Sequence, residues 1–266
     1  MPSADLTERL RRLGFRVKAD ALAPFLAHVH KSRLGPTETI EQLVGLETRA
    51  RDAVNLARRT RFACLGSFTA LDRFDWSHPE KIDRALIERL MGLDFVERRE
   101  NVLLKGGSGL GKSMIAQNLG VTALAAGYSV RFSTLAAALA DLLAQESMPA
   151  FERRLRRYLR PDLLILDELG YLPCDSRAAD ILYNIINRRH ERRSTIITTN
   201  LAFKQWGTVF PGAACVVALV DRFAQHCNRV EIIGPSWRDK HRLNQDDRQD
   251  DLSTPAPAGN PRRKQP

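Results

Sequence analysis

The chain has 266 residues, of which 44% are hydrophobic and 27% are charged, a composition that supports a substantial buried core and excludes a disordered chain or a disulfide-held miniprotein. Lysine and arginine (41) outnumber aspartate and glutamate (31) and give a formal net charge of +10, which favours a polyanionic partner such as nucleic acid over ordinary basic solubility, the competing interpretation. No apolar run reaches the roughly 18 residues of a membrane span, and the first residues lack the apolar stretch of a signal peptide, so we expect a cytoplasmic protein without a membrane partner.

Three segments follow one another along the chain. Residues 1–65 carry leucines at helical spacing among charged residues, which predicts a small helical N-terminal domain. Residues 66–243 are expected to form the main domain. Residues 244–266 contain several prolines, a basic run and almost nothing apolar, which predicts a disordered tail.

The main domain is predicted to be α/β. Short apolar runs alternate with helical stretches, a pattern that predicts a largely parallel sheet with helices on both faces. The spacing of the runs leaves the order of the strands open. The five predicted strands are NVLLKG (101–106), YSVRFST (128–134), LLILDE (163–168), STIITTN (194–200) and RVEIIG (229–234).

A glycine-rich loop follows the first predicted strand and precedes a helical run. Its sequence GGSGLGKS fits the phosphate-binding pattern G-x-x-x-x-G-K-[ST], for which chance matches number on the order of 0.01 in a chain this long. Its backbone N–H groups are expected to surround the β-phosphate of ATP, with the lysine on the β/γ oxygens and the serine hydroxyl on Mg²⁺. The predicted ATP-binding residues are Gly106, Gly107, Ser108, Gly109, Leu110, Gly111, Lys112 and Ser113.

Two carboxylates end a buried strand 55 residues after the lysine of this loop. Asp167 is predicted to hold Mg²⁺ through water, and Glu168 to orient and polarise the water that attacks the γ-phosphate. The competing interpretation makes Glu168 a helix-capping or solvated loop residue. A protein that only binds nucleotide has no need of the second carboxylate, so the pair favours ATP hydrolysis.

Three further polar residues are candidates for the same site. Asn200 ends the fourth predicted strand, where it would hold the lytic water or the γ-phosphate if that strand lies between the other two; turn formation is the alternative. Arg222 precedes the last strand and is a candidate for a contact with the nucleotide of another subunit, unless it forms a surface salt bridge with Asp221 or another acid. Arg238 is a weaker candidate for a contact from the same subunit.

Several stretches of the sequence resemble the IstB-like ATP-binding proteins, the transposition helpers of bacterial insertion sequences, which lie within the initiator and helicase-loader branch of the AAA+ ATPases. The resemblance covers roughly residues 5–243, and DELGYLP followed by TIITTN is its most specific part. The matching stretches are 93–104, the glycine-rich loop, 162–173, 188–200, 203–210 and 218–232.

This resemblance implies an ASCE-type P-loop NTPase core with Mg²⁺, a homo-oligomer that assembles on double-stranded DNA with ATP, and a partner transposase. The loop departs from many members, which have prolines and a threonine there, and the SWR stretch that contains Arg238 also differs from the common sequence. Residue by residue, the resemblance assigns Walker A to Lys112 and Ser113, Walker B to Asp167 and Glu168, sensor 1 to Asn200 and the arginine finger to Arg222.

The sequence therefore predicts an ATP-hydrolysing, DNA-binding transposition helper, with a DnaC-like helicase loader and a non-hydrolysing ATP-dependent DNA scaffold as alternatives. No recognition helix stands out, so we expect contacts with the DNA backbone and little sequence preference. Two basic clusters are each interpreted as a phosphate-binding surface or a solvated helix face: Arg153, Arg154, Arg156, Arg157 and Arg160, and Arg188, Arg189, Arg192 and Arg193.

Overall fold

The computed structural model describes residues 2–170 and 175–238. The predicted disordered tail, 244–266, lies outside these residues. Among the helices that the structure describes, none combines the length and the apolar character needed to cross a membrane.

Three helices form the N-terminal part of the chain: α1 (Pro2–Arg12), α2 (Ala19–Ser32) and α3 (Pro36–Ala63). The buried carboxylate of Glu47 on α3 accepts hydrogen bonds from the backbone N–H groups of Arg16, at 2.8 and 2.9 Å, and Val17, at 3.0 Å. Burial opposes ionisation here, but these bonds and one from Arg51 hold the pKa of Glu47 below its usual value. The N-terminal part is helical, as predicted, and Glu47 ties the segment after α1 to α3.

Five parallel strands form the central sheet, in the order β2-β3-β4-β1-β5. Strand β4 therefore lies between β1, which precedes the glycine-rich loop, and β3, which carries the two carboxylates. The sheet confirms the α/β prediction, although β5 starts two residues earlier than the sequence indicates. The strands are β1 (Asn101–Gly106), β2 (Val130–Thr134), β3 (Leu163–Leu169), β4 (Ser194–Thr199) and β5 (Cys227–Ile232).

Helices cover both faces of the sheet. Helix α6 contacts β1, β3 and β4 on the face of Val102, Leu104 and Ile165, and α7 and α9 cover the face of Leu103 and Leu166. Two 3₁₀ turns, Leu71–Arg73 and Phe203–Gln205, lie in the connections. The remaining helices are α4 (Arg84–Met91), α5 (Asp94–Glu97), α6 (Lys112–Ala125), α7 (Leu135–Leu143), α8 (Met148–Leu159), α9 (Ser176–Arg189), α10 (Trp206–Val209) and α11 (Val216–Ala224).

One arginine of the second basic cluster is part of the core. Arg189 is only 1% exposed, so it fits neither a solvated helix face nor a phosphate-binding surface. Burial lowers its pKa to about 9, with the charge of Arg193 acting in the same direction and that of Asp162 opposing it, so the guanidinium stays charged at neutral pH. It joins the end of α8 to the starts of β3 and β4 by donating to the carbonyl oxygens of Tyr158, Leu159, Pro161, Asp162 and Ser194 and to the Thr195 hydroxyl.

Candidate nucleotide-binding site

The glycine-rich loop joins the carboxyl end of β1 to the first turn of α6, where its N–H groups can face an anion. Gly109 and Gly111 have φ angles of +73° and +82°, a region that residues with a Cβ seldom adopt. A Cβ atom would also lie 2.4 Å from the Ser236 hydroxyl at position 109 and 2.5 Å from the Phe74 ring at position 111. Both positions therefore require glycine.

Lys112, the first residue of α6, points back into the loop. Its Nζ donates a hydrogen bond of 2.6 Å to the carbonyl oxygen of Gly107. Burial lowers the pKa of Lys112; the charge of Arg238 adds to this effect, whereas Asp167 and Glu168 counteract it. The ammonium group lies near Asp167 and Glu168, the two acidic residues that the sequence predicts at the γ-phosphate.

Asp167 accepts hydrogen bonds from hydroxyl groups on two different elements. The Ser113 hydroxyl donates to its Oδ1 at 2.9 Å, and the Thr198 hydroxyl on β4 donates to the same oxygen. A hydroxyl beside a carboxylate is the kind of oxygen donor set that Mg²⁺ takes, with water and phosphate oxygens completing the shell. Ser113 and Asp167 thus fit the predicted metal, and no larger cluster of His, Cys, Asp or Glu side chains occurs among the residues that the structure describes.

A β-bulge determines the direction of Glu168. Between Leu166 and Leu169 strand β3 advances three residues while its partner β4 advances two, so one residue is left without a place in the ladder. Glu168 has a φ angle of +66°, and its N–H donates to the Thr198 hydroxyl at 2.9 Å. The bulge keeps Leu169 in the core on the same face as Leu166, while the Glu168 side chain is exposed towards the cavity.

The cavity beside the loop has a volume of about 520 Å³, within the usual range for small-molecule sites. Loop residues, Glu168 and Thr198 line one side, and the segments around Phe74 and Trp237 line the other. Trp237 packs edge-on against His78, with ring centroids 4.9 Å apart, and its backbone N–H donates to the Gly109 carbonyl at 3.3 Å. Sequence reasoning missed these aromatic walls, although FDWSH and SWR contain the aromatic residues that such walls use.

The structure brings two further candidates to this edge of the sheet. Arg238 lines the cavity together with Lys112 and Glu168. This is the position that a contact with the nucleotide of the same subunit requires. Asn200 follows β4 at the same edge and is exposed; a Cβ at Gly170 would lie 3.2 Å from its Oδ1. It is absent from the lining of the cavity, whereas Thr198, which the sequence reasoning missed, is present.

Arg222 lies near the amino ends of the strands, at the opposite end of the sheet from the phosphate loop. On α11, its guanidinium stacks 5.4 Å from the Tyr183 ring centroid, and with His190 and Arg192 it lines a second cavity just before β4 begins. Among the described residues, Asp221 does not pair with it, so the salt-bridge interpretation lacks support. Because the strands are parallel, Arg222 and its own phosphate loop are at opposite ends of them.

Comparison with known proteins links this geometry to a family. The model of the family described as IstB-like ATP binding protein matches residues 8–245. A protein of insertion sequence IS21 from Pseudomonas aeruginosa is 33% identical over 234 residues, covering 88% of this chain and 86% of its own length. A protein of insertion sequence IS232 from Bacillus thuringiensis subsp. berliner is 32% identical and covers 88% and 94%. The names of both relatives describe ATP binding.

Solved structures show the same fold at lower sequence identity. The crystal structure of DnaI aligns with a TM-score of 0.52 and 19% identity over 65% of this chain and 90% of its own length. The replication initiator DnaA, bound to AMPPCP and single-stranded DNA, aligns with a TM-score of 0.50 and 19% identity over 65% of this chain and 56% of its own. The fold is thus that of the P-loop AAA+ domains, with a helical N-terminal part.

Proposed function

The chain belongs to the family of IstB-like ATP binding proteins, and from this premise we propose that it is an ATP-hydrolysing, DNA-binding transposition helper that assembles on target DNA and stimulates a partner transposase. The observation that carries the hydrolytic part is the bulge at Glu168, which directs a carboxylate towards the cavity that the phosphate loop lines. Residues 66–243 would form the ATPase domain and residues 1–65 an N-terminal arm.

Nucleotide binding follows from the loop and the start of α6. The N–H groups of the loop and the positive end of the helix would bind the β-phosphate, and Lys112 would exchange its bond to Gly107 for phosphate oxygens. Ser113 and Asp167 would hold Mg²⁺, which supplies charge neutralisation on the phosphates when bound. Arg238 would add a second positive charge from the same subunit.

Hydrolysis then depends on how the chain holds a water molecule. Glu168 would accept a proton from that water as it attacks the γ-phosphate. Thr198 joins the two carboxylate residues, since its hydroxyl donates to Asp167 and accepts from the Glu168 N–H. Asn200 would orient the same water or the γ-phosphate. The side of the cavity opposite the phosphate loop would exclude bulk solvent through Phe74 and Trp237.

Assembly is proposed from the position of Arg222. Its own phosphate loop lies at the far edge of the sheet, so an arginine-finger role would require the nucleotide of a neighbouring subunit. Such an arginine neutralises charge on the phosphoryl group and makes hydrolysis depend on oligomer formation. The insertion-sequence names of the relatives and the net charge of +10 support a transposase and DNA as the other partners.

The test is ATP turnover by the full-length protein, measured as phosphate release with Mg²⁺, with and without a mixed-sequence DNA duplex. We expect turnover that increases when the duplex is added, because DNA would promote the assembly that completes the site. A matched reaction without Mg²⁺ controls for contaminating phosphate. ATP binding without any turnover, with DNA present, would favour the non-hydrolysing scaffold instead.

Transposase stimulation needs a separate assay. The first step is to establish whether a neighbouring gene encodes an integrase-type transposase. That transposase would then be combined with the protein and ATP, and strand transfer into target DNA would be measured. Strand transfer that does not change when the protein is omitted would contradict the helper role. Capture of a replicative helicase in its place would favour the loader alternative.

Thr198→Val should lower turnover while leaving ATP affinity within about threefold. Valine keeps the shape of threonine but removes the hydroxyl shared by Asp167 and Glu168, and a hydrogen bond to a charged group contributes about 1.5–3 kcal/mol, or roughly 10- to 100-fold in rate. Turnover and nucleotide affinity are to be measured together. Thr199→Val is the control, because that hydroxyl bonds the backbone of Leu169 and Leu201 and, among the described residues, neither carboxylate; equal effects of the two changes would contradict a role for Thr198.

A further inference from the structure

We propose that a groove lined by seven arginines binds the sugar–phosphate backbone of double-stranded DNA. This inference rests on the proposed function and assigns its DNA contacts to one surface. The groove lies between the end of α3, the start of β2 and one face of α8, and has a volume of about 570 Å³. Its arginines, here called the arginine groove, are Arg58, Arg59, Arg131, Arg153, Arg156, Arg157 and Arg160.

Helical spacing places four of these arginines in one row. Arg153, Arg156, Arg157 and Arg160 are three, four and seven residues apart, so they share a face of α8 or its end. Leu155 and Tyr158 lie on the other face and are buried in the core, which fixes how the helix is turned. The row is about 10 Å long, which corresponds to about three base-pair steps along the DNA axis.

The acids near the groove are already paired with other arginines. Asp162 is bonded to Arg193 and Asp141 to Arg154. Glu152, on α8 itself, is 3.0 Å from Arg188. Among the described residues, no carboxylate lies within ion-pair distance of any arginine of the groove. The structure thus divides the two basic clusters into arginines with structural partners and arginines without a counter-charge.

Two arginines in the groove also contrast with Arg189, which uses each of its nitrogens in hydrogen bonds. The Nε atoms of Arg59 and Arg131 are buried and have no hydrogen-bond partner, and an unsatisfied buried donor costs about 1–3 kcal/mol. Like charges one turn apart on a helix are destabilising as well. The repulsion between the exposed arginines would be relieved by an anion that binds several guanidinium groups at once.

Phosphodiester groups fit this chemistry best. The planar guanidinium binds two phosphate oxygens at a time, and successive phosphates present a row of charges to match the row on α8. Among the residues that the structure describes, no Asn or Gln side chain lines the groove, so this part of the chain offers no amide group there to read adenine edges. It lies near the starts of β2 and β3, whereas the phosphate loop is at the carboxyl ends of the strands, so both ligands can bind together.

The test compares two triple variants of the full-length protein with equal changes of charge. Arg153→Gln, Arg156→Gln and Arg157→Gln remove three exposed arginines of the groove; Arg84→Gln, Arg89→Gln and Arg98→Gln remove three exposed arginines in and just after α4 and α5. Affinity for a mixed-sequence 30-base-pair duplex is measured from about 50 to 200 mM salt. ATP affinity and thermal unfolding are recorded for each protein.

The groove variant should bind DNA at least about tenfold more weakly, and the slope of log affinity against log salt should become less steep by about 0.9 for each phosphate that is no longer bound. The control should stay within about threefold of the wild type. The groove variant should keep its ATP affinity and unfold at the same or a higher temperature, because it removes repulsion between exposed charges and leaves the buried side chains unchanged.

Each other outcome contradicts a defined claim. Equal DNA affinity of the groove variant and the control, with a wild type that binds, would overturn the groove assignment and leave the proposed function intact. A wild type that does not bind DNA at all would overturn both. Groove-dependent binding to vesicles of anionic lipid, without groove-dependent binding to DNA, would assign the groove to a membrane surface and overturn the proposal.

Discussion

Glu168→Gln should trap the protein with ATP bound and lower turnover by about 10²- to 10⁴-fold, the contribution of a general base. Glutamine keeps the size of the side chain and its place at the bulge, but it cannot accept the proton of the attacking water. Steady-state phosphate release and the affinity for a fluorescent ATP analogue would be measured on the same preparation.

Lys112→Ala provides the contrast. It removes the ammonium group that would bind the phosphate oxygens, so it should abolish nucleotide binding and not only the chemical step. Glu146→Gln is the matched control: this exposed glutamate follows α7 and lines neither the cavity at the phosphate loop nor that of Arg222. Near-normal turnover by the Glu168→Gln protein would rule out Glu168 as the catalytic carboxylate. The bulge would then have no catalytic explanation.

Arg222→Ala should retain ATP binding and lose about 10³-fold or more in turnover, the scale measured for arginine fingers. The reason is geometric: at the far edge of the sheet, Arg222 can meet only a nucleotide held by another subunit. Arg192→Ala, which changes an exposed arginine of the same cavity, is the control and should have a smaller effect. Turnover is to be measured at protein concentrations that allow assembly on DNA.

Mixing variants tests whether the arginine acts between subunits. Arg222→Ala subunits have an intact phosphate loop, and Lys112→Ala subunits have an intact arginine, so mixed assemblies should recover part of the activity. An arginine acting within its own subunit could not be rescued in this way. If mixtures assemble on DNA and remain as inactive as their parents, Arg222 is a structural residue held by Tyr183.

The parts that sequence predicted best depend on local chemistry. The five strands, the loop after β1 and the helical N-terminal part follow from apolar periodicity and from a motif whose residues are contiguous. The place of Asn200 at the same edge as Asp167 follows from the parallel sheet. The order of the strands, with β4 in the middle, did not follow, because it depends on long-range pairing that spacing does not encode.

The parts that sequence missed depend on register and on burial. Thr198 could have been found from its place at the carboxyl end of β4, since parallel strands bring this end close to the two carboxylates of β3. The bulge at Glu168 could not have been found, because nothing in LLILDEL indicates where the register between β3 and β4 shifts. Arg189 could have been found from helical spacing, since it lies three, four and seven residues after Ile186, Ile185 and Leu182, which face the core.

The close packing of the phosphate loop also limits how this sequence can diverge. Gly109 touches Ser236, and Gly111 touches the Phe74 ring, so the loop shares its space with two segments far away in the chain. A larger residue at 236 would push against a glycine that has no smaller substitute. Mutations in the FDWSH and SWR stretches are therefore constrained jointly with the loop, and these three short stretches should evolve as one unit although more than 150 residues separate the outer two.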